Sequence, residues 1–422
     1  MKLLLIFVLV VESIAALQIS LTKVKSLRTS LREKGILTPY HQNSKLERRG
    51  VKGLCDDSYS ASKRHARSST SQGLNVFNDL EYVANITIGT PGQLFTMLMD
   101  TGSANLYIAD LSCKHCPSQH KFDSSLSSTY NKTNLGEDHC DIVGLDTVTL
   151  IGTGSNLSIP NSYHEAFVVD FPYDSYPSDG VFGMAFQPLA VQNTTPPLIN
   201  AINQNLFDNP WFTVYLKASG YEHNVPGGAI TYGVFDSINC GPIIEWQPLT
   251  SATTFQFALS GVAFGNFSQT KTWQTISDTG TAFIVAPYEI TDAIASIAGA
   301  YLNQTDGLYY IDCNANTPPL QLTIGNHIYN VSSENLIVPA DATKCYWAFM
   351  RGEDVTVGNS WVLGSPFIRQ FCNTYDLGNK RIGFALPHSF TPSTTPSKNT
   401  LCRNELAYCL QFFVIFYSFL LA

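Results

Sequence analysis

The sequence predicts a mostly β protein made of two related lobes, and three observations lead to this fold class. From about residue 76 the chain consists of short β-rich runs separated by turn residues, such as EYVANITIG and KRIGFA. The tripeptide Asp-Thr-Gly occurs twice, each time after an apolar-rich run. A further apolar run follows each copy at a similar distance and closes on a glycine. The chain therefore has the pattern of a duplication in which each lobe presents one Asp-Thr-Gly turn.

The two copies of the repeat share four of five residues, and the fourth position is serine in one and threonine in the other. They are Asp100-Thr101-Gly102-Ser103-Ala104, after FTMLM, and Asp278-Thr279-Gly280-Thr281-Ala282, after WQTIS. Gly183 in DGVFGMAF lies 83 residues after Asp100, and Gly364 in SWVLGSPF lies 86 residues after Asp278. One Asp-Thr-Gly is expected by chance in roughly one chain in ten of this length. Two copies in matching contexts are much rarer, so the repeat predicts a paired site.

The first 74 residues are predicted to be processed rather than to join the β body. Residues 1–16, MKLLLIFVLVVESIAA, read as a signal peptide, a better fit than a buried N-terminal helix. Residues 17–70 carry a net charge of +8, whereas residues 71–422 carry −16. These charges attract each other at neutral pH, and the attraction fails once carboxylates are protonated. We therefore expect residues 17–74 to form an acid-released prosegment rather than an arm that binds nucleic acid.

The rest of the chain divides into two lobes and a tail. We assign the N-terminal β lobe to residues 75–250, the C-terminal β lobe to residues 251–388, and a Pro/Ser/Thr linker with an apolar end to residues 389–422. Helical spacing is limited to Tyr288 to Leu302 and to Pro196 to Asn205. The apolar end suits a GPI-anchor signal, and a transmembrane tail and an end without structure are the alternatives.

The predicted secretory route changes how the ten cysteines are read. An oxidising compartment favours disulfides over free thiols or zinc. Asn-X-Ser/Thr sequons agree with the same route, and they would lie at the surface if glycosylated. Their asparagines are Asn85, Asn131, Asn156, Asn193, Asn266, Asn303 and Asn330.

Two neighbouring carboxyls predict a specific chemistry. Peptide hydrolysis requires an activated water and a proton for the carbonyl oxygen. Two carboxyls about 3 Å apart cannot both ionise easily, so one remains protonated as the acid while the other acts as the base. Glycine after each Asp-Thr lets the backbone turn tightly and approach its neighbour. Ser103 and Thr281 carry hydroxyls that can donate to the aspartate of the same turn.

At these residues the chain resembles the pepsin and cathepsin D family of aspartic proteases, over about residues 76–388. The matching motifs are ITIGTPGQLF, DTGSANLYI, DGVFGMAF, SDTGTAFIVAP and WVLGSPFIRQFCNTYDLGNKRIGFA. The resemblance implies the bilobal pepsin-like fold, with two β-barrel-like lobes, a cleft between them, and cleavage beside hydrophobic residues. It implies no cofactor and no metal. The dyad of these proteases is itself a standard example of two carboxyls that share a proton.

The resemblance also assigns roles to individual residues. Asp100 and Asp278 are the implied catalytic pair. Thr101 and Thr279 are the implied grip between the lobes, Gly102 and Gly280 allow the close approach, and Ser103 and Thr281 support the outer oxygens. The implied disulfides are Cys313–Cys345, Cys113–Cys116 and Cys240–Cys372. Cys113-Lys114-His115-Cys116 with His120, His139 and Cys140 can also be read as zinc ligands, but only one Cys-x-x-Cys is present.

The sequence departs from this family at the flap, the hairpin that closes over the cleft. SSTYNKTNLGEDHCDIVGLDTVTL joins the neighbouring strands too directly to include the expected flap tyrosine, and Tyr130 belongs to the earlier SSTY match. Tyr107 stands where the family usually has a tryptophan. Three explanations are open: an unusually short flap, a homologue that binds peptides with little or no turnover, or a sequence that lacks a segment.

The sequence therefore predicts an aspartic endopeptidase made as a secreted zymogen and active at acidic pH. We expect it to act as a monomer on peptide or protein substrates, to bind its own propeptide, and to bind no nucleic acid. Its expected location is extracellular or lysosomal, with membrane attachment through the C-terminal tail as an option. A peptide-binding homologue without useful turnover is the main alternative. An adhesion or structural β protein is poorly supported, because such a role requires no pair of matched turns.

Overall fold

The computed structural model describes residues 69–114, 116, 118–135, 141–167, 178–341, 343–352 and 360–388. The predicted signal peptide, most of the predicted prosegment and the C-terminal tail lie outside the described residues. Strands dominate the part that is described, with four short α-helices and three 3-10 turns among them. No helix in this part has both the length and the apolar character needed to cross a membrane.

Twelve strands and one helix come from the first half of the β body. The strands are β1 Thr70–Phe77, β2 Glu81–Ile88, β3 Gln93–Asp100, β4 Leu106–Ala109, β5 Asn131–Lys132, β6 Asp141–Leu150, β7 Leu157–Phe167, β8 Gly180–Gly183, β9 Trp211–Leu216, β10 His223–Tyr232, β11 Cys240–Pro248 and β12 Ser251–Ala252. The helix is α1 Pro197–Asn203, and the 3-10 turns are Ser124–Leu126, Gln187–Leu189 and Val191–Asn193.

The second half supplies the remaining strands and helices. The strands are β13 Phe255–Phe264, β14 Phe267–Ser277, β15 Ile284–Ala286, β16 Tyr301–Asn303, β17 Leu308–Ile311, β18 Leu320–Ile324, β19 His327–Val331, β20 Ile337–Pro339, β21 Cys345–Trp347, β22 Phe349–Arg351, β23 Ser360–Leu363, β24 Cys372–Asp376 and β25 Arg381–Pro387. The helices are α2 Tyr288–Ala298, α3 Ser333–Leu336 and α4 Ser365–Gln370.

A closed barrel forms the N-terminal lobe. Its strand order is β2-β3-β8-β4-β7-β6, and β6 closes the ring by pairing with β2. The strands direct Ile86, Phe95 and Val148 inward, and each of these side chains is fully buried. Closure leaves these six strands without an open edge, which gives the loop after β3 a rigid base.

The C-terminal lobe repeats part of this arrangement. Its main sheet has the order β19-β18-β13-β14-β23-β15-β22, with β12 beside β13, and a smaller sheet has the order β16-β17-β21-β20. Strand β14 pairs in parallel with β23, as β3 pairs with β8. Strand β15 then pairs antiparallel with β23, as β4 pairs with β8. The prediction of a mostly β fold with two related lobes is confirmed.

A third set of strands joins the two lobes. The order β11-β25-β24-β9-β10-β1 is antiparallel throughout, and β1 continues into the N-terminal barrel through β2. Strands β24 and β25 lie in the predicted C-terminal lobe by sequence, yet they share this sheet with β9 to β11. A boundary at residue 250 therefore divides the chain into two segments, but the shared sheet contains strands from both of them. The predicted prosegment end at residue 74 falls inside β1.

Aromatic side chains fill the space where the shared sheet meets the C-terminal lobe. Phe212 stacks on Tyr375 with ring centroids 4.8 Å apart, and Phe255 meets the edge of Tyr375 at 4.7 Å. All three side chains are buried. Aromatic pairs of this kind add about 0.5–1.5 kcal/mol beyond the burial of their surface. They come from β9, β24 and β13, so they pack both halves of the chain together.

Both predicted helices are present, and both are shorter than expected. Pro196 to Asn205 contains α1, which begins and ends inside that range. The helix predicted from Tyr288 to Leu302 ends at Ala298, because Gly299 adopts the left-handed conformation with φ 76°. A glycine at this position stops a helix at little cost. The remaining residues of the predicted helix begin strand β16.

Candidate active site

The two aspartates of the repeat lie at the ends of equivalent strands. Asp100 is the last residue of β3 and is paired in parallel with Gly183 on β8. Asp278 directly follows β14, and its amide donates to the carbonyl of Leu363 on β23 over 3.1 Å. Phe95, Met97 and Met99 before Asp100 and Trp273 before Asp278 are buried in the core of their lobe. Each carboxyl therefore stands on a strand that the core holds in place.

The glycine of each turn makes room for the carboxyl of the other lobe. A β-carbon on Gly102 would lie 2.5 Å from Oδ2 of Asp278, closer than real contacts allow. A β-carbon on Gly280 would collide with the carboxyl of Asp100 in the same way. Any larger residue would push the opposite carboxyl away. Glycine is required at both positions because the opposite carboxyl comes so close to the backbone. This requirement is independent of the backbone conformation of the turn.

The threonines lock the two turns together. The amide of Thr101 donates to Oγ1 of Thr279 over 2.9 Å, and the amide of Thr279 donates to Oγ1 of Thr101 over 3.0 Å. Each hydroxyl then donates across the boundary, Thr279 to the carbonyl of Met99 and Thr101 to the carbonyl of Ser277. Both threonines are buried. The structure therefore brings the threonines together in the arrangement that the resemblance implies.

Each carboxyl also accepts hydrogen bonds from its own turn. The amide of Gly102 donates to Oδ1 of Asp100 over 2.8 Å, and the hydroxyl of Ser103 donates to Oδ2 over 2.5 Å. In the second turn, Gly280 donates to Oδ1 of Asp278 over 2.9 Å and Thr281 to Oδ2 over 2.7 Å. These donors fix the orientation of both carboxyl planes.

The pair is electrostatically coupled. Burial, the neighbouring charge of Asp278 and the hydrogen-bond contact between the two carboxyls raise the pKa of Asp100 to about 7. The donors Ser103 and Gly102 act in the opposite direction, but their effect is smaller. One carboxyl of the pair therefore keeps a proton at pH values where an ordinary aspartate is ionised.

Two further glycines support the turns from behind. Gly183 packs against the backbone of Ala104 and Asn105, where a β-carbon would lie 2.4 Å from the carbonyl carbon of Ala104. Gly364 packs equally closely against the backbone oxygens of Thr281 and Phe283. The apolar runs that end at these glycines thus form β8 and β23, the strands that lie beside β3 and β14.

Comparison with known proteins agrees with this geometry. Residues 81–387 match the model of the eukaryotic aspartyl protease family. The chain belongs to this family. It is 44% identical to Aspartic protease 6 of Caenorhabditis elegans over 324 residues, which cover 74% of this chain and 83% of that protein. Pepsin A of Rhinolophus ferrumequinum is 30% identical, with 87% of this chain and 95% of that protein covered. Cathepsin E-B of Xenopus laevis is 29% identical, with coverages of 90% and 96%.

This aspartyl protease has a second layer of polar residues that the sequence did not predict. In the C-terminal turn, Ser277 donates from its hydroxyl to Oδ1 of Asn373 over 2.9 Å and lies 2.9 Å from the hydroxyl of Tyr375. Asn373 and Tyr375 are buried in β24, which belongs to the shared sheet. Buried polar residues in a strand are the only signal that could have found them.

The N-terminal turn has a different second layer. Asn105 donates through Nδ2 to the buried carboxylate of Glu165 on β7, and its Oδ1 accepts from the amide of Val191 over 3.0 Å. The backbone carbonyl of Asn105 accepts from the amide of Gly183 over 2.8 Å. Asn105 therefore connects the Asp100 turn to β7, to β8 and to the 3-10 turn Val191–Asn193. Sequence reasoning included neither Asn105 nor Glu165 among the site residues.

The structure contains the three disulfides that the resemblance implies. Their S–S distances are 2.01 Å for Cys113–Cys116, 2.09 Å for Cys240–Cys372 and 2.14 Å for Cys313–Cys345. The pair Cys240–Cys372 links β11 to β24 within the shared sheet.

The disulfides leave little support for the zinc alternative. Cys113 and Cys116 are bonded to each other, so neither presents a free thiolate. His120 lies 2.8 Å from the carboxylate of Asp179 through its Nδ1. His115, His139 and Cys140 lie outside the described residues. Where side chains are described, no group of three or more His, Cys, Asp or Glu residues is placed to hold a metal ion.

The region of the expected flap forms a short hairpin. Strand β5 pairs with β6 through Asn131↔Leu145 and Lys132↔Gly144, and residues 136–140 between them lie outside the described residues. Tyr130 packs into the N-terminal lobe, with its ring 5.8 Å from that of Phe122. A β-carbon on Gly144 would collide with the Tyr130 ring, so the ring can occupy this position only because residue 144 is glycine.

Proposed function

We propose that the protein is an aspartic endopeptidase that hydrolyses peptide bonds at acidic pH with Asp100 and Asp278 as its catalytic pair. One observation carries the proposal: two carboxyls from matched turns touch each other, and the pKa of Asp100 is raised to about 7. Two such groups can share one proton and supply an acid and a base together. Membership of the aspartyl protease family supports the same reaction class.

The proposed reaction uses the shared proton and one water molecule. Asp278 takes a proton from the water, whose oxygen attacks the peptide carbonyl carbon. Asp100 gives its proton to the carbonyl oxygen, which forms a neutral tetrahedral diol. Asp100 then takes a hydroxyl proton from the diol, and Asp278 gives its proton to the amide nitrogen. The C–N bond breaks, which leaves a carboxylic acid, an amine and one proton on the pair. Ser103 and Thr281 hold the carboxyl planes through these steps by the hydrogen bonds described above.

We propose that the enzyme is made as a zymogen. The support is electrostatic, since residues 17–70 carry +8 and residues 71–422 carry −16. At neutral pH the prosegment, residues 17–74, is held against the acidic body. Protonation of carboxylates in acid removes much of that attraction and releases the prosegment.

We further propose a secretory destination, either extracellular or lysosomal, with the C-terminal tail as an optional membrane attachment. Residues 1–16 have the features of a signal peptide. Three disulfides are consistent with an oxidising compartment. Six of the sequon asparagines are exposed and the seventh, Asn303, is half-buried, so each is accessible to a glycan.

A peptide-binding protein without useful turnover is the second candidate. The short β5–β6 hairpin favours it, because no tyrosine of this hairpin is placed as a lid and Tyr130 packs inside the lobe. Without a lid, a substrate is positioned less firmly and water is excluded less completely. Both candidates use the same cleft, so they differ in turnover rather than in binding.

One assay separates the two candidates. The acid-treated protein is incubated with a denatured protein substrate at about pH 4, where carboxylate attraction to the prosegment is weakened, with and without a pepstatin-type inhibitor. Inhibitor-sensitive cleavage that is lost in Asp278→Asn supports the endopeptidase. Tight inhibitor binding without cleavage supports the peptide-binding protein. If neither cleavage nor inhibitor binding occurs, both candidates are rejected.

A further inference from the structure

A buried histidine lies in the N-terminal lobe outside the catalytic pair. His164 is on β7, only 1% exposed, and neither of its ring nitrogens has a hydrogen-bond partner in the described part of the chain. Its ring meets the edge of Phe122 at 4.8 Å and lies 5.9 Å from the ring of Tyr130. Buried histidines normally form at least one hydrogen bond, so this environment is unusual and apolar.

A buried aspartate on the neighbouring strand, Asp146, forms no ion pair with His164 in the described part of the chain. Asp146 on β6 lies on the same face of the β6–β7 ladder, since Asp146 pairs with Ser162 and Gly144 with His164. The carboxyl of Asp146 is also buried, and it accepts from the hydroxyl of Thr129 through Oδ1. Its Oδ2 has no hydrogen-bond partner among the described residues. The His164 ring and the free oxygen of Asp146 thus lie on one buried face without bonding to each other.

We propose that His164 is an acid-sensitive latch for strands β5, β6 and β7. The neutral ring packs against Phe122 and Tyr130 and stabilises the pairing of these strands. Protonation of the ring destabilises this packing and loosens the strands. The geometry explains the direction. A cation at this position would lie against two aromatic rings, with the backbone carbonyl of Ser162 as a nearby acceptor that forms no hydrogen bond of normal geometry with the ring. Burying an unpaired charge costs several times more than burying a neutral ring.

The charged groups around His164 do not reverse this balance. Asp146 from β6 and Asp110 from the end of β4 both favour the imidazolium, while Tyr130 contributes a neutral phenol. Burial outweighs Asp146, the backbone carbonyl of Ser162 and Asp110, and it lowers the pKa of His164 to about 4. The folded state therefore resists a proton that the unfolded chain accepts near its ordinary value of 6.5. Stability is present above that value and is lost as the pH falls from 6.5 through about 4.

The position of the latch connects it to the active site. A small cavity beside His164 is also lined by Ala104, Asn105 and Leu106, which follow the Asp100 turn. The neighbouring residue Glu165 holds Asn105 from the same strand. Loosening of β7 in acid would therefore reach the support of the Asp100 turn as well as the hairpin. The inference concerns stability and does not depend on catalysis.

The test compares unfolding of the full chain at pH 7 and pH 4 by urea titration, in an Asp278→Asn background that prevents self-cleavage. From pH 7 to pH 4, the unfolding equilibrium constant of the His164-containing parent should rise about 100-fold more than that of His164→Phe. His164→Gln, which cannot titrate, should behave like His164→Phe and serves if the phenylalanine variant fails to fold. His327→Gln, which removes a histidine that is 46% exposed, should keep the response of the parent.

Hydrogen exchange at the two pH values, corrected for intrinsic rates, locates the effect. The amides of β5, β6 and β7 should lose protection in the parent at pH 4 and keep it in His164→Phe. An identical pH response in the parent and both His164 variants would overturn the proposal. So would a parent that is stabilised by acid relative to His164→Phe, because an ion pair with Asp146 would then outweigh burial.

Discussion

Replacing Thr279 with valine removes one half of the grip between the lobes without changing the shape of the side chain. The hydroxyl of Thr279 accepts from the amide of Thr101 over 2.9 Å and donates to the carbonyl of Met99 over 2.6 Å. Valine can do neither, so a buried amide and a buried carbonyl both lose their partner. An unsatisfied buried group costs about 1–3 kcal/mol, so the free energy of unfolding should fall by about 2–6 kcal/mol.

Urea unfolding of the inhibitor-free protein at constant pH measures this loss. Thr279→Ser keeps the hydroxyl and should lose only about 1 kcal/mol, which is the cost of one buried methyl group. Thr101→Val should match Thr279→Val, because Thr101 makes the equivalent bonds to Thr279 and to Ser277. If Thr279→Val were no less stable than Thr279→Ser, the reciprocal hydrogen bonds would not be what holds the turns together.

Three further changes test the site and its frame. Asp278→Asn removes the charge that helps raise the pKa of Asp100, which should fall below about 7 in an NMR titration. An unchanged pKa of Asp100 would exclude coupling between the two carboxyls. Gly280→Ala should displace the carboxyl of Asp100 and reduce the cleavage rate about 100-fold. Gly154→Ala is the control: no atom lies within 4 Å of the added carbon, so the cleavage rate should not change. Alanine at both Cys240 and Cys372 should lower the free energy of unfolding by about 2–5 kcal/mol, because the disulfide joins residues 132 positions apart. An unchanged midpoint of urea unfolding would contradict this prediction.

The sequence predicted the first layer of the site well because that layer is local. Each Asp-Thr-Gly-Ser/Thr turn contains its own aspartate, its own glycine and its own hydroxyl donor, so four consecutive residues specify the geometry. The duplication then specified the partner, and the structure places Gly102 against Asp278 and Gly280 against Asp100. The related lobes could be predicted for the same reason, since β3 and β14 occupy equivalent positions.

The second layer could not be predicted because it depends on contacts between distant strands. Asn373 lies 96 residues from Ser277, and Glu165 lies 60 residues from Asn105. Neither residue stands in a motif of its own, and the run CNTYD gives no indication that β24 joins the shared sheet beside β9. The end of α2 was missed for a simpler reason, because the apolar spacing continues past Gly299, where the left-handed backbone ends the helix.

Lowering the pH stabilises the fold through one buried group and destabilises it through another. The pKa of Asp100 rises from 3.8 to about 7 on folding, so its contribution to stability is present below 3.8 and is lost as the pH rises to 7. The pKa of His164 falls from 6.5 to about 4, so its contribution is present above 6.5 and is lost as the pH falls to 4. Each group changes the free energy of unfolding by up to about 1.4 kcal/mol per pH unit, and between about pH 4 and 6.5 these slopes oppose each other. A free energy of unfolding that stays constant over this pH range would therefore hide two large and opposite contributions, one from Asp100 and one from His164. Variants such as His164→Phe separate the two contributions. The pair holds its shared proton up to about pH 7, whereas His164, in the lobe that carries Asp100, limits how much acid the fold withstands.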